Sequence, residues 1–161
     1  MNSYLDARDQ REQVLTQVLS TGKPSVVFLS LNVPGVDKMP AGSSELFDWA
    51  LRQLLTLCPD CVVEIASKDA LGFFAILLSG REAVEIKQLA VRLEASSPAA
   101  RLVDVDVYGS SGEQLGRREL KLPPRACLLC DQPAVDCMRA KRHDLNEIVV
   151  KAHELLTNFS A

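Results

Sequence analysis

The sequence has few aromatic residues, no long apolar run and no glycine-rich phosphate loop. Aromatic side chains make up 5% of the 161 residues, which leaves few surfaces for base stacking and argues against a single-strand nucleic-acid binder. No stretch approaches the roughly 20 apolar residues of a membrane span, and the first residues are polar where a signal peptide would be apolar. We therefore expect a cytoplasmic protein with neither nucleic acid nor a membrane as its partner.

The composition is that of a soluble globular protein. Hydrophobic residues make up 47% of the chain and charged residues 24%, which is too apolar for a disordered protein. The length predicts one domain over residues 1–161, because single cores commonly span about 100–200 residues. The net charge is -3, yet residues 101–143 hold eight Lys/Arg against six Asp/Glu. This locally basic segment favours an anionic substrate.

The periodicity of apolar residues predicts an α+β fold. Helical patterns alternate with strand patterns in the order strand, helix, strand, strand, helix, strand, preceded and followed by a helix. This order is typical of a ferredoxin-like split βαβ sandwich with an added hairpin, a cysteine-rich loop and a closing helix. A nucleotidyltransferase-like mixed sheet is the alternative. The predicted helices cover residues 5–20, 43–57 (capped by Ser43 or Ser44), 82–94 and 145–156, and the predicted strands cover residues 25–33, 61–67, 72–79, 101–108 and 114–120.

Two aspartates occupy the strand pattern at residues 101–108. Alternation of side chains along a strand places Asp104 and Asp106 on one face, about 6.5–7 Å apart. Carboxylates at this spacing are suited to a hard cation such as Mg2+ beside a phosphate chain. The alternative is an ordinary solvated strand face. Two aspartates in the middle of a short valine-rich strand destabilise the fold unless they have partners, which favours a functional site.

Arg117 and Arg118 fall on the predicted partner strand, so one of them is expected to face the aspartates. The guanidinium fork matches phosphate oxygens. The alternative is cross-strand ion pairing with the acidic residues of the hairpin, namely Asp104, Asp106, Glu113 or Glu119.

The segment that follows carries a C-x2-C-x6-C-x5-H pattern. Cys127, Cys130, Cys137 and His143 provide three thiolates and one imidazole, which complete a closed tetrahedral zinc site of the structural kind. The alternative is a set of reduced cysteines, with His143 as a general base or a surface residue. The chain has five cysteines, an odd number that argues against a disulfide framework. A further pair, at residues 58 and 61, follows a predicted helix rather than preceding one, so we do not expect it to be a redox motif.

Several of these segments together resemble the citrate lyase holo-acyl-carrier-protein synthases, or apo-citrate lyase phosphoribosyl-dephospho-CoA transferases. The resemblance covers nearly the whole chain. It is most specific at the carboxy-terminal cysteine segment, and a departure at Ala126, where the family usually has arginine, removes one expected phosphate contact. The residues that carry it are 5–11, 31–38, 101–107, 117–118 and 122–130, followed by Cys137 and residues 142–143.

The resemblance implies transfer of the phosphoribosyl-dephospho-CoA unit from 2'-(5''-triphosphoribosyl)-3'-dephospho-CoA to a serine of the citrate lyase acyl carrier protein subunit, with release of pyrophosphate. A related lyase as the target stays open. On this reading Asp104 and Asp106 hold Mg2+ and Arg117 and Arg118 are catalytic. The alternative function is a non-catalytic, zinc-stabilised protein-binding module. Substrate contacts are expected from Arg8, Arg11, Asn32, Lys38, Arg101, Arg125 and Arg142.

Overall fold

The structure is a computed structural model that describes residues 3–161. Within these residues five helices and five strands follow one another, so the predicted α+β class is confirmed. The elements are α1 (Tyr4–Leu19), β1 (Ser25–Leu31), α2 (Ser43–Leu57), β2 (Val62–Asp69), β3 (Gly72–Ser79), α3 (Ala83–Glu94), a 3-10 turn (Ala99–Leu102), β4 (Val103–Gly109), β5 (Gln114–Leu115), α4 (Ala134–Ala140) and α5 (Leu145–Thr157).

The strands form one sheet in the order β2-β3-β1-β4-β5. Each adjacent pair is antiparallel, with Leu29 of β1 opposite both Ala75 of β3 and Val105 of β4. The mixed-sheet alternative is therefore wrong for this sheet. The central strand β1 is buried throughout its first five residues, as expected for a strand that is covered on both faces.

Each face of the sheet packs against its own helices. The alternating valines of β4 lie on the face that contacts α2 and α3 in the larger core. The opposite face carries Phe28 and Phe74, whose rings stack with centroids 5.7 Å apart and contact Val18 of α1. Asp106 lies directly opposite Phe28 in the register of β1 and β4, and side chains of directly opposed residues share a face. The two aspartates of β4 therefore lie on the α1 side.

Two strand boundaries near the predicted site differ from the prediction. Strand β5 ends at Leu115, so Arg117 and Arg118 lie in a turn rather than on a partner strand. The turn forms because Glu119 accepts the N–H of Gly116 at 2.8 Å, a side-chain bond that competes with strand pairing. Arg101 lies in the 3-10 turn before β4 rather than on the strand.

Helix α2 begins without a serine cap. Its N-cap is Gly42, at φ +90°, and no side chain caps the helix. A β-carbon at this glycine would lie 2.5 Å from the carbonyl oxygen of Leu156, so α5 approaches too closely for any other residue. The hydroxyl of Ser43 instead donates to the carbonyl of Pro40 at 2.6 Å.

The cysteine segment is more regular than predicted. A helix, α4, begins directly after Pro133 and carries Cys137, whereas the sequence predicted a loop with little regular structure. The closing helix α5 starts at an Asp144 capping box, in which Glu147 accepts the Asp144 N–H. No helix in residues 3–161 is long and apolar enough to span a membrane.

Candidate functional site

A cavity of about 740 Å³ opens between the end of α3, the 3-10 turn, the cysteine segment, α4 and α5. One part of its wall is basic and the rest is largely apolar. The only carboxylate in the wall is Glu94, so three arginines give this part of the cavity a positive charge. The basic residues are Arg101, Arg117 and Arg125, and the apolar wall includes Pro34, Pro98, Leu102, Leu128, Met138, Leu145 and Ile148.

Glu94 holds two of these arginines. Its side chain is 3% exposed. Its carboxylate accepts a hydrogen bond from Arg117 Nη2 at 3.1 Å and forms an ion pair with Arg125 Nη2 at 2.7 Å. The same carboxylate accepts the backbone N–H of Val105 at 3.0 Å. A carboxylate this deeply buried needs such partners, because an unpaired buried charge is strongly destabilising. The two guanidinium groups are therefore fixed at the cavity wall.

Arg125 is the more extensively bonded of the pair. Its Nη2 also donates to the carbonyl of Val103 at 2.9 Å and contacts Asp104 Oδ1 at 3.2 Å. The Arg117 side chain, in contrast, makes one hydrogen bond within residues 3–161, to Glu94. Since a guanidinium carries five N–H groups, the other N–H groups of Arg117 have no hydrogen-bond partner in residues 3–161, and Arg117 lines the cavity.

Arg101 joins the 3-10 turn to the cysteine segment. Its Nη2 donates to the carbonyl oxygens of Ala126 and Cys127. These contacts fix the segment that forms the far wall of the cavity.

The two aspartates share a face, as predicted, but neither borders this cavity. Asp104 contacts Arg125 at the sheet edge, and Asp106 accepts from Gln114 Nε2 at 2.9 Å. Asp106 lines a smaller hollow of about 410 Å³ under α1. Burial, with the nearby charge of Asp104 second, raises the pKa of Asp106 to about 6. The predicted grouping of both aspartates with Arg117 and Arg118 is therefore not found.

The other predicted substrate contacts divide between the cavity and the rest of the surface. Asn32 lines the cavity. Arg118 and Arg142 are exposed and outside its wall, and Arg8 is exposed on α1. Lys38 donates to the carbonyl of Val33 at 2.8 Å, a contact within its own loop.

Arg11 has a structural setting. Its guanidinium donates to both carboxylate oxygens of Asp69 at 2.7 Å and to the carbonyl of Gly72 at 2.9 Å. It also lies over the Phe74 ring, 4.5 Å from the centroid. These contacts tie α1 to the β2–β3 turn and leave few donors for a substrate.

The four predicted zinc ligands come together. One ligand atom from each of Cys127, Cys130, Cys137 and His143 lies within 4.8 Å of all the others. The Cys130 and Cys137 sulfurs are 3.5 Å apart, and His143 Nε2 is 3.3 Å from Cys130 Sγ. Tetrahedral zinc with bonds of about 2.0–2.3 Å places its ligand atoms about 3.3–3.8 Å apart. The group has the composition and spacing to bind a metal ion.

The thiols of this group titrate unequally. Burial opposes the shift, yet backbone N–H groups of Leu129 and Cys130 lower the pKa of Cys127. Burial and the hydrogen bond with Cys130 raise the pKa of Cys137 to about 11. A cation that binds all three sulfurs must displace the proton of Cys137. Cys127 and Cys137 also line the cavity, so the Cys/His group and the arginine-lined wall adjoin each other.

Two buried charged residues of α3, Glu94 and Lys87, were not predicted from the sequence as functional residues. Both are buried on the face of α3 that otherwise carries Ile86, Ala90 and Leu93, and Lys87 Nζ donates to the carbonyl of Val105 at 2.8 Å. A charged residue on the apolar stripe of a helix is the signal that identifies them, because burial there requires a specific partner.

Comparison with known proteins assigns the family. The family model described as apo-citrate lyase phosphoribosyl-dephospho-CoA transferase matches residues 1–159. The chain belongs to the apo-citrate lyase phosphoribosyl-dephospho-CoA transferase family. Family membership confirms the predicted transferase class and does not favour the alternative of a non-catalytic binding module.

Relatives with curated names agree with this family. An Escherichia coli O139:H28 protein named apo-citrate lyase phosphoribosyl-dephospho-CoA transferase is 32% identical over 98% of this chain and 88% of its own length. A Vibrio cholerae protein with the same name, marked probable, is 28% identical over 84% of this chain and 79% of its own length. Protein CitXG of Haemophilus influenzae is 32% identical over 98% of this chain, which spans only 35% of that longer relative.

Proposed function

We propose that this protein transfers the phosphoribosyl-dephospho-CoA unit of 2'-(5''-triphosphoribosyl)-3'-dephospho-CoA to a serine of the citrate lyase acyl carrier protein subunit, releasing pyrophosphate. The observation that carries the proposal is the family match over residues 1–159. The arginine-lined cavity supports it, because the donor combines a polyphosphate with an extended organic group. The carrier subunit and this donor are the proposed partners.

The two parts of the cavity wall suit the two parts of the donor. Arg101, Arg117 and Arg125 are proposed to bind the triphosphate, since guanidinium groups match phosphate oxygens in geometry and charge. The apolar wall formed by α4 and α5, including Met138 and Ile148, is proposed to contact the dephospho-CoA portion. An apolar cavity with a few convergent polar groups is the usual form of such a site.

Arg117 is proposed as the main catalytic cation. Its unused N–H groups can donate to the oxygens on which charge develops as pyrophosphate leaves. The carrier serine oxygen attacks the ribose-linked phosphorus in line, and the hydroxyl proton passes to solvent. Arg125 is held by several protein oxygens and is proposed to contribute charge and position. Arg118, outside the cavity, is no longer proposed as catalytic, and Asn32 is retained as a contact at the cavity wall.

We propose that the Cys/His group binds Zn2+ in a structural role. The spacing of the four ligand atoms supports zinc. Between the two roles predicted for His143, the contact of its Nε2 with Cys130 Sγ at 3.3 Å supports the ligand role over the general-base role. Bound zinc would hold Cys127 and Cys137 together and thereby fix the cavity wall that they share.

A magnesium ion at Asp104 and Asp106 stays a prediction. The shared strand face and the free carboxylate oxygens fit a hard cation. The position fits less well, because neither carboxylate lines the arginine-lined cavity and Arg125 already contacts Asp104. Mg2+ would supply charge neutralisation, and no step proposed here depends on it.

We also propose that residues 1–161 form a single transferase domain with a ferredoxin-like core. Strand β3 lies between β1 and β2, and β1 lies between β3 and β4, which is the interleaving of two split βαβ units. One sheet with apolar clusters on both faces supports a single folding unit. Strand β5, the cysteine segment and α5 are then additions to this core, and the cysteine segment and α5 line the cavity.

The proposal is tested by incubating the protein with apo carrier subunit and the triphosphate donor and measuring the intact mass of the carrier. We expect a mass increase of one phosphoribosyl-dephospho-CoA unit on the carrier serine, and none on a carrier with that serine changed to alanine. An unchanged mass across a range of divalent metal ions, together with stable binding of the carrier, would instead support the binding-module alternative.

A further inference from the structure

We propose that Glu94 is a positioning residue that sets the two phosphate-binding arginines, Arg117 and Arg125, at their working separation. The inference rests on the proposed function only in its assignment of the ligand as a polyphosphate. It extends that function by adding a residue that does not itself contact the substrate phosphates.

The first reason is the place of Glu94 in the fold. Strand β5 pairs with β4 only at Val107 and Tyr108, so the outward backbone groups of Val105 have no strand partner. Helix α3 supplies both partners: Lys87 Nζ donates to the Val105 carbonyl at 2.8 Å, and Glu94 accepts the Val105 N–H at 3.0 Å. Residues seven apart lie on the same side of a helix, two turns from each other. These two hydrogen bonds therefore join α3 to strand β4.

The second reason is the way the carboxylate is shared. One oxygen of Glu94 accepts the N–H of Val105 and forms the ion pair with Arg125, and the other oxygen accepts from Arg117. Two guanidinium groups this close repel each other without an anion between them. The buried carboxylate contacts both guanidinium groups at the cavity wall, and the unused N–H groups of Arg117 remain available to a ligand.

The third reason is that Glu94 would be unfavourable in a purely electrostatic anion site. It is a negative charge in the wall of a cavity lined by three arginines. If it acted only as a countercharge, its removal would make the cavity more positive and would tighten anion binding. If it acts by positioning, its removal loosens the arginines and weakens binding. The two roles predict opposite signs for the same substitution.

The test is the binding of inorganic tripolyphosphate, measured by calorimetry with the full chain. Glu94→Gln retains the size of the side chain and one acceptor, but places an NH2 donor against a guanidinium. We expect Kd to rise about 10-fold to 100-fold, since a hydrogen bond to a charged group contributes about 1.5–3 kcal/mol. Glu85→Gln is the matched control, because Glu85 is an exposed carboxylate on the same helix, and its Kd should stay within about 2-fold of wild type.

A double-mutant cycle separates positioning from general damage. Arg117→Gln alone should raise Kd by a similar factor, and the combination with Glu94→Gln should be little worse than either single variant, because both remove the same arrangement. Strictly additive effects would overturn the proposal, as would a Glu94→Gln protein that binds tripolyphosphate as tightly as wild type or more tightly.

Glu94→Asp provides a second variant if Glu94→Gln fails to fold. Aspartate keeps the buried charge but is one methylene shorter, so it cannot reach both arginines and Val105 together. We expect a folded protein with Kd raised about 10-fold, and an unchanged Kd would overturn the proposal. Binding of tripolyphosphate needs no carrier and no transfer, so an inactive wild-type protein would refute the proposed function while leaving this test intact.

Discussion

Asp106 gives the sharpest stability prediction, because its side chain is partly buried beside a second carboxylate. The folded pKa of about 6 lies above the ordinary value of 3.8, so the folded protein binds this proton more tightly than the unfolded chain does. The protonated Asp106 therefore makes its full contribution to the free energy of unfolding below about pH 4, and this contribution is lost as pH rises from about 4 to 6. At neutral pH the ionised carboxylate destabilises the fold.

The expected magnitude follows from the shift. Two pKa units correspond to at most about 3 kcal/mol, and water reaches this half-buried group, so we expect about 1 kcal/mol after screening. Asp106→Asn removes the charge while its amide oxygen still accepts from Gln114. At pH 7 the variant should be more stable than wild type by about 1 kcal/mol, which is about 2–4 °C in Tm for a chain of this size.

The assay is thermal unfolding of both proteins between pH 4 and pH 7.5, with Asp9→Asn, an exposed aspartate of α1, as the control. The difference in Tm should be near zero at pH 4 and grow through pH 6. A difference that is independent of pH, or a less stable Asp106→Asn at pH 7, would refute the reasoning. Repeating the series with MgCl2 tests the predicted cation, which should stabilise wild type and leave Asp106→Asn unchanged.

Three further outcomes are expected. Arg117→Ala should lower kcat/KM for carrier modification about 10-fold to 100-fold, whereas Arg118→Ala, outside the cavity, should stay within about 2-fold of wild type; equal losses would contradict the site. Cys130→Ser should lack bound metal in elemental analysis and should have a Tm lower by several degrees, whereas Cys58→Ser should retain the metal. Stoichiometric zinc in Cys130→Ser would contradict the proposed ligand set. Arg11→Ala should lower the free energy of unfolding, measured in urea, by about 2–4 kcal/mol, and the rate of transfer at low temperature should be unchanged. A selective rise in KM for the donor would instead support the predicted substrate role of Arg11.

The sheet and the helices could be predicted from the sequence because their signals are local. The alternating valines of β4 gave the correct face for Asp104 and Asp106, since period-2 alternation fixes side-chain direction on a strand. The cysteine spacing likewise predicted that Cys127, Cys130, Cys137 and His143 lie together, and one side-chain atom of each lies within 4.8 Å of all the others.

The arrangement around the cavity depended on contacts that are distant in the sequence. The hairpin was predicted to continue to residue 120, but the Glu119 side chain bonds the Gly116 N–H and turns the chain away from the strand. Arg117 consequently faces Glu94 on α3, 23 residues earlier, and not the aspartates of β4. Periodicity alone cannot report such a partner, although a glutamate on the apolar face of α3 indicates that one exists.

The central claim is most directly tested by measuring carrier modification and pyrophosphate release in the same single-turnover reaction. The account predicts one pyrophosphate per carrier modified with wild-type protein, and a matched fall of both quantities with Arg117→Ala. Pyrophosphate released without a mass increase on the carrier, or full transfer by Arg117→Ala, would contradict it.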